Sequence, residues 1–184
     1  MTTTDTPPIP LNRVRAIGRD LLHAAAGFGG RDAIDVWQTA TAVTTIAPDA
    51  PQWQIIAVAA TLVRKLAGRT SFDDVTDDEV QAAQWLRELR SSVGCGQFER
   101  TITFEQARVM TAILGMAEVA TPGSECSRVV DQAMAWEERF TIIDCWQVTY
   151  LAVQLIRMIA DFSGDPLRLL CVVIDELRHR KDEN

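Results

Sequence analysis

The sequence predicts an all-α protein: a single-domain, orthogonal or mixed bundle of about eight helices. Three observations point there. Apolar residues recur at spacings of three and four along most of the chain, and two-residue alternation is nowhere sustained. Recognisable helix starts and stops punctuate that pattern. The composition, 184 residues with 47% apolar and 23% charged, is that of one domain able to bury a core without disulfides or metal.

Residues 1–10, rich in Thr and Pro, read as a flexible arm, residues 11–181 as the domain and 182–184 as a loose tail. Pro10 opens the first helix, carried by Leu11, Val14, Ile17, Leu21 and Ala25 and ended by Gly27. Asp32 is a good N-cap for a second, with Val36, Trp37, Ala40 and Val43, which Pro48 stops. The third runs from near Pro51 through Ile55, Val58, Leu62 and Leu66 to Gly68. Thr76 and Glu79 form a capping box for the fourth, with Val80, Trp85, Leu86, Leu89 and Val93. Thr103 and Gln106 make a second box, opening a fifth helix with Ala107, Met110, Leu114 and Ala117 that Thr121-Pro122-Gly123 closes. Ser124 caps a sixth, carrying Val129, Val130, Ala133 and Trp136. The seventh spans 142–162, after Thr141 and with Asp144 in its first turn. Asp165-Pro166, an N-cap followed by Pro at the first helical position, begins the eighth, with Leu170, Val173 and Leu177.

The seventh helix is expected at the centre. Its polar residues Asp144, Gln147, Gln154, Arg157 and Asp161 share one narrow stripe, Thr149 stands apart, and the remaining circumference is apolar. It also carries an echo. The stretch IDCWQ at 143–147 repeats IDVWQ at 34–38, and the same shift lays Asp32 on Thr141. A slightly wider shift superposes Pro51, Ile55, Val58, Leu62 and Lys65 on Pro166, Leu170, Val173, Leu177 and Arg180. Two accounts stay open: an internal pseudo-duplication of 33–67 and 142–181, or the general likeness of amphipathic hairpins.

Net charge is −7, and the 18 Lys and Arg are dispersed along the chain, which argues against nucleic acid as a partner. No apolar run reaches the length of a bilayer span, and MTTTDTPPIP has neither the basic nor the apolar region of a signal peptide. An acidic, cytoplasmic protein that does not enter a membrane is expected. Cys95, Cys126, Cys145 and Cys171 are widely spaced, with no CxxC pattern, and do not form a zinc motif. Asp20 with His23 and Glu176 with His179 repeat an acid–His spacing that di-iron bundles use, but both histidines fall near expected helix C-termini, where an imidazole complements the dipole. The reading therefore includes no metal, no cofactor and no catalytic residue.

Two sets of residues are candidates for binding. Asp35, Trp37 and Gln38, with their counterparts Asp144, Trp146 and Gln147, line a possible polar seam between helices 33–47 and 142–162. Helix capping by the two aspartates is the simpler account of the same acids. The acidic run FDDVTDDE places Asp73, Asp74, Asp77 and Asp78 where a basic partner could dock, although acids also suit a helix start. Two functional readings follow. The first is a non-enzymatic protein–protein interaction module, an adaptor, assembly factor or regulator working as a homodimer, with the five Trp as potential anchors. The second is a helical small-molecule binder, sensor or enzyme, with an apolar pocket between helices 33–47 and 142–162.

Overall fold

Helices are the only regular elements among the described residues of the computed structural model, which are 9–27, 50–70, 78–94, 103–120, 127–139 and 144–179. There are seven among these residues: α1 (Leu11–Gly27), α2 (Gln52–Ala67), α3 (Asp78–Gly94), α4 (Phe104–Val119), α5 (Ser127–Arg139), α6 (Cys145–Asp161) and α7 (Pro166–His179). The expected second helix, 33–47, lies outside the described residues, as do the caps Asp32, Thr76, Ser124 and Thr141.

Several starts follow from local chemistry. The Pro10 carbonyl accepts from the amides of Arg13 (2.9 Å) and Val14 (3.0 Å) and so opens α1. At α4 the capping box is complete: the Gln106 amide donates to Thr103 Oγ1 (3.3 Å), and the Thr103 amide donates to Gln106 Oε1 (2.8 Å). Asp165 Oδ1 accepts from the Arg168 amide (3.2 Å), and Pro166 takes the first helical position of α7, where its missing N–H costs nothing. Between α6 and α7 the chain reverses through Gly164, whose φ of 79° lies in the left-handed region that glycine enters without strain.

The most enclosed rod is α2, not the helix expected at the centre. Eleven of its sixteen residues are buried, and it packs against α1, α3, α4, α5 and α6. Its sequence explains this: Ile55, Ile56, Val58, Leu62, Val63 and Leu66 point to several sides, while Ala57, Ala59, Ala60 and Ala67 let neighbours approach between them. Second in rank is α6, with nine of seventeen residues buried against α1, α2, α4 and α7. Its polar stripe is the uncovered side, with Asp144 and Asp161 exposed and Gln147, Gln154 and Arg157 partly so. Thr149, off the stripe, is buried and donates its hydroxyl back to the Cys145 carbonyl (2.8 Å).

Gly18 on α1 faces two other helices at once. A Cβ there would meet Leu177 Cδ1 at 3.3 Å and Val58 Cγ1 at 3.7 Å, so α1, α2 and α7 converge over a residue with no side chain. The partners in the proposed duplication, α2 and α7, occupy different settings: α2 is enclosed, whereas α7 buries Leu170, Val173 and Ile174 against α1 and α6 and leaves its other face open.

Polar ties join the helices at the rim. Arg13 Nε donates to Gln54 Oε1 (2.7 Å), linking α1 to α2. Arg157 of α6 donates to the Ala25 carbonyl in the last turn of α1 (3.2 Å) and pairs with Asp161 (2.8 Å). Glu118 of α4 receives Arg87 (2.5 Å) and Arg90 (3.0 Å) from α3. Arg90 crosses over Gly115, where a Cβ would stand 3.1 Å from Nη1. Glu176 of α7 receives Lys65 (2.6 Å) and Arg69 from the end of α2.

Candidate functional site

The first turn of α6 brings three of the expected binding residues together. Asp144 stands at the N-cap with extended backbone (φ −64°, ψ 146°), and its carbonyl accepts from the amides of Gln147 (2.9 Å) and Val148 (3.2 Å). Its carboxylate makes no capping bond and is exposed, so capping does not explain why an acid stands there. Gln147 is half-buried, and Trp146 is 45% exposed. Their expected counterparts Asp35, Trp37 and Gln38 lie outside the described residues, and so does a seam or pocket between the two helices. The acidic set Asp73, Asp74 and Asp77 is likewise outside; Asp78 is the first residue of α3, with its side chain not among those described.

Cys145, beside Trp146, is part-buried, and its thiol donates weakly to the Ala50 carbonyl (3.9 Å). Burial pushes its pKa up, the Thr149 hydrogen bond lowers it, and the Glu137 charge adds to the rise. The side chain packs against the core. Burial also pushes the Tyr150 phenol up, one turn further along.

Trp146 departs from the other described tryptophans. Trp136 is buried, while Trp53 and Trp85 pack against the core from partly covered positions. At the opposite end of α6, Phe162 is 60% exposed and meets Trp85 of α3 edge-on, with ring centroids 5.1 Å apart. A third exposed aromatic, Phe104, is 72% open at the start of α4, with the Arg108 guanidinium 5.7 Å from its ring centroid. Sequence reasoning picked out Trp146 through the echo and missed Phe104 and Phe162, both of which border a helix terminus. That location was a usable signal, because an aromatic next to a cap can fall off the buried stripe.

Among the described residues the acid–His pairs form no metal-binding group, and the side chain of His179 lies outside them. His23 is exposed, and Glu176 is engaged by Lys65 and Arg69. No group of three or more His, Cys, Asp or Glu that could hold a metal occurs among the described residues. Nor is any helix among them long and apolar enough to cross a membrane. Comparison with known proteins gives no relative: no family model matches the chain, and no curated protein or solved structure matches it.

Proposed function

We propose that the chain is a protein-binding module without chemistry of its own, an adaptor, assembly factor or regulator that acts through its helical surface as a homodimer. The observation that carries the reading is the set of large aromatic side chains at the surface, Trp146 and Phe162 at the two ends of α6 and Phe104 on α4. Each exposes apolar area that a helix termination has placed outside the core. Aromatic anchors of this kind supply much of the binding energy at protein interfaces.

A small-molecule site built on Asp144, Trp146 and Gln147 is the second reading, favoured by the carboxylate of Asp144 that capping leaves unused. Affinity purification of the full chain from its native host, with intact-complex mass spectrometry, separates the two. A partner protein is expected, and Trp146→Ala or Phe162→Ala should deplete it about tenfold or more while leaving the helical circular dichroism unchanged. A bound small molecule in place of any protein would overturn the module reading in favour of the second. Recovery of neither a protein partner nor a homodimer would also remove it.

A further inference from the structure

One helix face carries a charge pattern that nothing within the molecule uses fully. On α7 the inner side buries Leu170, Val173 and Ile174, while Arg168, Cys171, Val172, Asp175 and Arg178 are all exposed on the other side. Within that outer face Asp175 meets Arg178 only at 3.6 Å, and both remain more than half exposed. Arg168 lies in the first turn and Asp175 toward the C-terminal end, the opposite of what the helix dipole favours. The dipole therefore accounts for neither placement, and the i,i+3 pair with Arg178 gives Asp175 only weak support at that distance.

Arg168 and Asp175 stand seven residues apart, about two turns, and so share one line along the helix. The midpoint between them falls between Cys171 and Val172. If two copies of α7 pack antiparallel about a two-fold axis through that midpoint, Arg168 of each copy faces Asp175 of the other. Cys171 and Val172 flank the axis on either side, so each meets its own counterpart. The face is self-complementary: opposite charges outside, a small apolar centre within. Isologous contacts require that property.

We propose that the outer face of α7 binds a second copy of this chain in this antiparallel arrangement. The inference rests on the homodimer reading above and adds its geometry. A helix of fourteen residues is a rod of about 21 Å, so the contact lies at the small end for a specific interface, and a dimer of micromolar strength is expected.

Sedimentation equilibrium of the reduced full-length chain tests it, from about 1 to 100 µM. Arg168→Asp and Asp175→Arg should each weaken dimerisation about tenfold or more, since each sets like charges opposite one another twice. The double exchange should restore it. Both side chains are exposed, and each new charge suits the helix dipole better, so folding is preserved and circular dichroism verifies this. Mild oxidation with a copper–phenanthroline complex provides a second readout. Two Cys171 thiols lose two protons and pass two electrons to the oxidant as one S–S bond forms, and peptide mapping should find that bond joining Cys171 to Cys171. A dimer unaffected by the single exchanges, or not restored by the double one, overturns the inference and leaves the module reading standing. A cross-link mapping to other cysteines does the same. A chain that stays monomeric throughout overturns both the inference and the homodimer, and co-purification then decides whether a different protein is the partner.

Discussion

Glu176 ties α7 to the end of α2 by accepting from two cations, Lys65 and Arg69. Burial alone would raise its pKa, but the hydrogen bonds and positive charges of those two residues outweigh it and hold the carboxyl below its ordinary 4.5. The sign of the consequence follows from proton linkage. The folded chain binds its proton less readily than the unfolded one, so the stabilisation is complete above about pH 4.5 and is lost as pH falls through the lower folded value. Because the carboxylate is about a third exposed, solvent screening keeps the contribution small. Glu176→Gln should cost up to about 1 kcal/mol at neutral pH in urea unfolding, and the difference from the parent should vanish in acid. A penalty that persisted unchanged at acid pH would assign the residue to packing. Lys65 and Glu176 are 111 positions apart, and no local pattern announces such a pair.

At the scale of single helices, caps are the most legible feature because their chemistry is complete within four residues. Pro10, Thr103 with Gln106, and Asp165 with Pro166 were each readable as starts, and each opens a helix by the expected bonds. Removing the Thr103 hydroxyl by Thr103→Ala should destabilise the chain by about 1 kcal/mol, read as a lower urea midpoint at unchanged slope. Covering of a helix, by contrast, depends on neighbours distant in sequence. The apolar circumference of α6 drew the reading toward it, yet α2 is the better enclosed, since four small alanines admit close neighbours and count for little in a hydrophobic pattern. Thr149 shows the reverse case, a polar residue off the polar stripe that satisfies itself against its own backbone and is buried at little cost. The exposure of Trp146 was not readable either. An aromatic in a first turn can pack inward or outward, and the choice belongs to the tertiary arrangement.

For the molecule as a whole, the packing divides into an inner pair, α2 and α6, and helices that cover them. Local opening is cheapest where few buried contacts must break, so hydrogen exchange should be slowest in α2, next in α6, and faster in α7, whose outer face is open. Slower exchange in α2 than in α7 checks the hierarchy, and equal protection would contradict it. The fold class was legible at this scale because helical periodicity runs through the whole sequence. The exposure of Phe104 and Phe162 and the open face of α7 were not legible, because they depend on which sides the bundle covers, and the expected seam between 33–47 and 142–162 lies outside the described residues.

The enclosure of α2 has a consequence for how the protein is made. A ribosome delivers residues 52–67 early, yet three of the helices that cover them, α4, α5 and α6, emerge only with residues 104–161. Until then α2 has only α1 and α3 to rest against, and the growing polypeptide displays its remaining greasy sides to solvent or to a chaperone. Enclosure of α2 thus waits on residues 104–161, and a product stalled or terminated before them would carry its stickiest surface outward.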